Sequence, residues 1–267
     1  MTLQALKEEI RKRQNFLCVG LDSDISRIPA HLREKKYPIL EFNKAIIETT
    51  KEHCVAYKLN TAFYESSGSK GWEQMEATLD FIPDNKFVIA DAKRGDIGNT
   101  AKHYARAFFK HLDVDALTLN PYMGMDTLEP YAEYTDKTLI VLGLTSNRGS
   151  EHIEQLCTSD KSPVYLQTMH QVEETVPNDR LMFVIGATHG AMMKGIRDQF
   201  PNHFFLVPGV GAQGGSADEV YDQLSNSETG ILINSSRSII FASDGEDFAN
   251  AAQHKARELA EWMASRF

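Results

Sequence analysis

Short apolar runs alternate with amphipathic segments along the whole chain, and the alternation is regular. Leu3, Leu6 and Ile10 recur at helical spacing over residues 3–14. Phe16-Leu17-Cys18-Val19-Gly20-Leu21 follows as a continuous apolar run, the pattern of a buried strand. The same pairing repeats to the end of the chain. Strands are expected at Cys54 to Asn60, residues 86–91, Val114 to Leu119, Thr138 to Leu144, Leu181 to Gly186, Phe204 to Val207 and Gly230 to Asn234. Helices are expected at Pro38 to His53, with a proline near the first turn, and at Trp72 to Phe81 and Thr100 to Leu112. Others are expected at Met125 to Tyr134, Pro163 to Val176, through Met192 and Ile196, at Ser216 to Leu224 and from about Glu246 to Ser265.

No composition break or linker interrupts this series, so residues 1–267 are expected to form a single domain. Strict β-α alternation implies a parallel sheet. Eight such units in a chain of 267 residues have the length of a (β/α)8 TIM barrel. An open, doubly wound sheet is the runner-up. Its mark would be Gly-x-Gly-x-x-Gly after the first strand, and Gly20-Leu21-Asp22-Ser23-Asp24 stands there instead.

The composition is that of an ordinary globular protein, 42% hydrophobic and 24% charged. A net charge of −9 argues against nucleic acid or an anionic membrane as a partner. No apolar run approaches the length of a membrane span. Cys18, Cys54 and Cys157 are an odd number without motif spacing, and no signal peptide is evident, so a reduced, cytoplasmic setting is expected. The nine histidines are scattered, with no HExxH and no Cys-x-x-Cys, so no metal site is expected.

The charge at the strand ends changes the picture. Lys86-Phe87-Val88-Ile89-Ala90 runs into Asp91-Ala92-Lys93-Arg94-Gly95-Asp96. Side chains alternate along a strand, which puts Asp91 and Lys93 on the face of Phe87 and Ile89. Gly95 permits a sharp turn, and Asp96 lies just past it. Asn99 or Thr100 is expected to cap the next helix. An ammonium between two carboxylates stays protonated, poised to give a proton or to face a developing negative charge. Strand two adds Lys58 and Asn60. Isolated charges at strand ends are commonly solvated loop residues, but unpaired charge clustered there is costly, which favours a functional reading.

The last two strands supply a different chemistry. After strand seven comes Pro208-Gly209-Val210-Gly211-Ala212-Gln213-Gly214-Gly215 and then Ser216, and after strand eight comes Ser235-Ser236-Arg237-Ser238. Barrels bind phosphate with these two loops, through backbone N–H groups and a helix N-terminus. Glycines let the backbone approach the oxygens, and Arg237 can fork onto two of them. A Gly-rich loop alone would more simply be a tight turn. Two at these positions, one with an arginine, favour phosphate. Asn234-Ser235-Ser236 matches a glycosylation sequon, a chance match in a cytoplasmic chain.

With these residues in place, the chain resembles the orotidine 5'-phosphate decarboxylase family, in the branch of longer chains that carries Asp-Ala-Lys-Arg-Gly-Asp-Ile-Gly. The resemblance covers nearly the whole chain: Gly20-Leu21-Asp22, Lys58-Leu59-Asn60, Asp91 to Thr100, Thr145-Ser146-Asn147, Pro208 to Gly215 and Ser236-Arg237. It implies a barrel without metal or cofactor that works as a homodimer. It implies that Lys58, Asp91 and Lys93 act in one subunit while Asp96, with Ile97 and Thr100, enters from the other. It further implies Ser146 against the pyrimidine, Asp22 near the ribose, and Gln213, Ser236 and Arg237 at the phosphate end. Arg94 and Gly95 vary among branches and are assigned no chemistry.

The implied reaction is loss of CO2 from C6 of orotidine 5'-monophosphate, giving uridine 5'-monophosphate. The carbanion lies in the ring plane, with no π-system to delocalise it, and Lys93 would both face it and protonate it. The polar stretch Thr145 to Lys161 is long for a structureless connection and is a candidate lid. Three other readings stay open. A related barrel acting on a sugar phosphate would share Asp-x-Lys-x-x-Asp but need magnesium, and a chelator distinguishes it. A Schiff-base aldolase needs an unprotonated lysine, which carboxylate neighbours oppose. A catalytically idle phosphate-ligand-binding barrel would bind nucleotide without turnover.

Overall fold

A computed structural model describes residues 1–211 and 214–267. Eight parallel strands were expected, and among the described residues eight are present. They are β1 (Leu17–Gly20), β2 (Ala56–Asn60), β3 (Phe87–Arg94), β4 (Ala116–Leu119), β5 (Thr138–Leu144), β6 (Leu181–Ile185), β7 (Phe204–Pro208) and β8 (Ile231–Ser235). They follow one another in sequence order around a closed barrel, with helices between them. This is the (β/α)8 architecture, and the open-sheet alternative is excluded. Among the described residues no helix is long and apolar enough to cross a membrane.

By packing, the chain divides into two units. The first is Met1, Ala5–Ala92 and Asn234–Phe267, and the second is Thr2–Gln4 and Lys93–Ile233. In the first unit β1 pairs with β2 and β2 with β3, so that Lys58 stands level with Gly20 on one side and Ile89 on the other. The helix Pro38–Thr50 opens on a proline, whose missing N–H is no loss in a first turn. It buries Ile39, Phe42, Ile46 and Ile47. Phe42 stacks against Phe241 and Phe248, with ring centroids 5.5 and 5.2 Å away.

In the second unit β4 to β7 pair in parallel. β6 is buried at every position, as expected of a strand covered on both faces. Arg197 is 95% hidden, at 5% exposure, and its guanidinium donates to the carbonyls of Leu224, Phe200, His203 and Gly230 at 2.7–3.0 Å. Burial pushes its pKa down to about 10. It stays a cation that ties several chain ends together.

Some elements differ from expectation for local reasons. The helix after β3 starts at Gly98 rather than at a cap on Asn99 or Thr100, and its N-cap is Ile97. It runs as an α-helix to Ala105 and continues as a π-helical turn over Arg106–His111. The expected helix from Met125 to Tyr134 is broken into the turn Met125–Thr127 and the short helix Glu129–Ala132. Pro130 has no N–H to bond back into the preceding turn. The helix expected from Trp72 begins earlier, at Ser69, after Gly68 turns the chain at a φ of 60°. The polar stretch after β5 is also not structureless. It holds the 3-10 turn Arg148–His152 and a β-bridge between Cys157 and Pro163.

One buried polar network organises the chain just past β1. Asn43 Oδ1 accepts from Ser23 Oγ at 2.5 Å. Its Nδ2 donates to Tyr64 Oη at 2.9 Å and to Thr78 Oγ1 at 3.1 Å. Tyr64 in turn donates to the Leu21 carbonyl at 3.0 Å. The network brackets Asp22 between two fixed neighbours. Asn43→Ala should take the acceptor from the buried Ser23 hydroxyl and remove the contacts to Tyr64 and Thr78, which keep bonds to the Leu21 and Gln74 carbonyls, and should destabilise the fold by about 1–3 kcal/mol. A urea unfolding midpoint indistinguishable from wild type would show that the network contributes nothing to the fold.

Candidate active site

The site begins with the register of three parallel strands. Lys58 is paired with Gly20 and with Ile89, and Asp22 and Asp91 each lie two residues further along the flanking chains. Residues two apart share a face, so both carboxylates converge on the tip of one lysine. Lys58 Nζ donates to Asp22 Oδ1 at 3.2 Å and to Asp91 Oδ2 at 3.0 Å. The lysine side chain is 3% exposed. Burial is the largest single influence on its pKa and lowers it. The two aspartates together outweigh burial, and the net shift is upward. The group is a fixed cation, not a base or a nucleophile.

Gly20 has a second role. A Cβ there would stand 1.8 Å from Ser236 Oγ, so only glycine leaves room for Ser236 beside β1. Asn234 Nδ2 donates to that Oγ at 3.2 Å. Arg237 is the first residue of the short helix Arg237–Ile240. It is exposed, and no ion pair engages it among the described residues.

In the second unit, Lys93 ends the regular part of β3. Its φ is +47°, so strict alternation stops at this residue, and its backbone N–H donates to Thr118 Oγ1 at 2.9 Å. Arg94, to which the sequence assigned no chemistry, has a structural place. Its guanidinium lies over Tyr104 and Phe108, 5.3 and 5.4 Å from the ring centroids, and its carbonyl accepts from Asn120 N at 2.8 Å. A Cβ on Gly95 would meet the Asn120 carbonyl at 2.8 Å. Asp96 Oδ1 accepts the N–H of Ile97 at 2.8 Å. Ile97 and Thr100 are exposed, and Gly98 turns at a φ of 49°.

Ser146 follows β5 in a braced loop. The neighbouring Thr145 gives its N–H to Glu154 Oε2 at 2.8 Å, and its carbonyl lies 2.6 Å from His189 Nε2. A Cβ on Gly186 would come within 2.7 Å of Ser146 N. The glycine loop after β7 folds on itself. Gly211 N donates to the Gly215 carbonyl at 3.0 Å, and Gly209, Gly211 and Gly214 have φ of 98°, 77° and 89°. These are values that side chains disfavour. Ser216 caps the helix Ala217–Leu224, accepting from Glu219 N. Gln213 lies outside the described residues. The sequence missed Thr118, Glu154 and Asn43. A lone threonine in a strand, a glutamate in a polar loop and an asparagine in a helix carry no local signal of what they touch.

A closed parallel barrel whose β1, β2 and β3 end in a carboxylate–ammonium–carboxylate group defines the class: a (β/α)8 barrel with an ionised site at the strand ends. The chain belongs to the orotidine 5'-phosphate decarboxylase / HUMPS family, which matches residues 15–252. It is 49% identical to an orotidine 5'-phosphate decarboxylase of Parabacteroides distasonis, covering 99% of this chain and 95% of that one. It is 47% identical to a protein of the same name in Bacteroides fragilis, covering 100% and 98%. Among solved structures it is similar to the OMP decarboxylase of Leishmania donovani, with a TM-score of 0.81, 33% identity and coverage of 98% and 99%.

Removing the central cation tests the ion-pair arrangement. Lys58→Met leaves Asp22 and Asp91 facing each other with little solvent. Breaking a buried pair in this way should destabilise the protein by about 3–5 kcal/mol near neutral pH. The carboxylates of the variant then have raised folded-state pKa values, so protonation relieves the repulsion. The deficit against wild type should shrink as the pH falls through the carboxylate range. A deficit that is the same at about pH 7.5 and about pH 5 would show that the two aspartates are not coupled through Lys58.

Proposed function

We propose that this chain is an orotidine 5'-phosphate decarboxylase, converting orotidine 5'-monophosphate to uridine 5'-monophosphate in pyrimidine nucleotide synthesis. The observation that carries the reading is the buried Lys58 ammonium of β2 bound to Asp22 and to Asp91, the latter on β3 two residues before Lys93. Identity of 47–49% over nearly the full length of relatives bearing that name supports it. The reading takes residues 1–267 as one barrel domain working in the cytoplasm, without metal or cofactor.

The chemistry assigned to each residue follows from charge. Asp91 stands near the departing carboxylate and Lys93 near C6. As CO2 leaves, negative charge develops in the plane of the ring, and the Lys93 ammonium stabilises it and then gives up a proton to C6. Lys58 keeps Asp91 ionised and in place. Asp22 serves the ribose, Ser146 the pyrimidine, and Gln213, Ser236 and Arg237 the phosphate. Binding of the remote phosphate supplies energy for ordering the site, with the stretch Thr145 to Lys161 as a lid. In an absorbance assay the purified protein should consume orotidine 5'-monophosphate in the presence of a chelator, and Lys93→Ala should remove nearly all turnover while still binding uridine 5'-monophosphate. Turnover of the variant within about tenfold of wild type would remove Lys93 as the proton donor. No consumption of orotidine 5'-monophosphate, with turnover of a sugar phosphate that a chelator abolishes, would favour the magnesium-dependent reading.

The enzyme is a homodimer with shared sites, in which Asp96, Ile97 and Thr100 serve the partner subunit. Exposed apolar side chains support this: Ile97 at 57%, Tyr122 at 76% and Ile153 at 50% are poorly suited to open water. In a two-fold dimer the exchange is reciprocal. Lys93→Ala and Asp96→Asn should each be nearly inactive alone. Mixed under conditions of subunit exchange, they form heterodimers in which one site carries both lesions and the other neither. Random mixing should restore about a quarter of wild-type activity. Exchange without recovery would mean that Asp96 serves its own subunit.

A further inference from the structure

Lys93 has a left-handed backbone, with φ of +47°. A residue with a Cβ is disfavoured there, and such conformations persist only where the surroundings hold them. The sequence around Lys93 does not explain it, since the next residue is Arg94 and the glycine comes only at 95. The hold comes from β4. Thr118 is fully buried, and its Oγ1 accepts the Lys93 N–H at 2.9 Å. Two residues on, Asn120 N donates to the Arg94 carbonyl at 2.8 Å. The rest of β4, Ala116, Leu117 and Leu119, is apolar and buried. A hydroxyl in such a strand needs partners, and the backbone of Lys93 provides one.

We propose that Thr118 is a positioning residue for the reaction: its hydroxyl holds Lys93 in the left-handed conformation that sets the direction of the ammonium. The proposal rests on the reading of Lys93 as the proton donor. A relaxed, extended Lys93 would point its Cα–Cβ bond elsewhere, and the long side chain would carry the error to its tip. Misplacement of about 1 Å at a reacting group lowers a rate by about a hundredfold. A buried threonine that served only packing would behave differently on substitution, because valine has nearly the same shape.

Thr118→Val keeps the shape and removes the acceptor. Thr118→Ser keeps the acceptor and removes a methyl group. The expected result is a kcat lowered about 10- to 100-fold in Thr118→Val, with binding of uridine 5'-monophosphate and the urea midpoint close to wild type. Thr118→Ser should recover most of the lost kcat despite its smaller side chain. Both variants are assayed beside Lys93→Ala, which separates the two readings. If Lys93→Ala is inactive and Thr118→Val turns over at the wild-type rate, the positioning role is overturned and the role of Lys93 stands. If Lys93→Ala retains activity, the reading of Lys93 itself falls. Loss of kcat, product binding and stability together in Thr118→Val, with no recovery in Thr118→Ser, overturns the proposal in favour of a packing role.

Discussion

The Lys58 ammonium between Asp22 and Asp91 is the contact on which the ionised site depends. Taking three charged groups out of water carries a penalty of several kcal/mol for each ion. It is offset only when attraction is short-ranged and made twice, as at 3.0 and 3.2 Å here. At an effective dielectric near 20 each such contact is worth about 4 kcal/mol, so the second contact recovers part of the penalty that one alone would leave. The geometry comes from register. Lys58 sits level with Gly20 and Ile89, and each aspartate follows its neighbour by two residues. A slip of one residue in either pairing would turn a carboxylate to the opposite face of its strand and leave the lysine half-paired.

Much of this was legible in the sequence, because the barrel is built from local periodicity. Each β-strand is a short apolar run and each covering helix an amphipathic one, so element type and order could be read without knowledge of partners. The position of Lys58 beside Asp91 also followed from alternation along β2 and β3. What could not be read depends on contacts between distant residues or on backbone conformations that side chains do not announce. Lys93 was expected to continue the alternation, and its φ of +47° ends it. The helix start at Gly98 was placed at a cap that is not used, because Asp96 binds the Ile97 N–H from outside the helix. The stretch after β5 looked unstructured because its order comes from Glu154 and His189 reaching back to Thr145.

The segment from Lys93 to Gly98 shows how a short, partly strained loop is made to hold one shape. A left-handed non-glycine residue costs of order 1–3 kcal/mol. Against this stand the hydrogen bonds from Lys93 N to Thr118 and from Asn120 N to the Arg94 carbonyl, each worth about 1 kcal/mol. The Arg94 guanidinium over Tyr104 and Phe108 adds about 0.5–2 kcal/mol. Gly95 then passes so close to the Asn120 carbonyl that no side chain fits. The strain is matched by contacts to β4 and to the following helix, so Lys93 and Asp96 are set on rigid neighbours and not on a free loop. Arg94 thus has a structural part in holding this segment.

Those constraints bear on how a decarboxylation could be accelerated here. Repulsion between Asp91 and a substrate carboxylate at about 4 Å is worth about 4 kcal/mol at an effective dielectric of 20, roughly three decades in rate. Enzymes generally supply about 8–23 kcal/mol, so repulsion alone falls short. The structure weakens it further, because Asp91 is already bound to the Lys58 ammonium at 3.0 Å and part of its field is neutralised. The same contact strengthens the competing account. Asp91 anchored by a buried cation is a preorganised charge that does not have to reorient during a reaction, and this is what the proposed mechanism calls on. Under the proposed role of Lys93, the larger share of the barrier reduction falls to stabilisation of the developing charge, and the smaller share to destabilisation of the bound substrate.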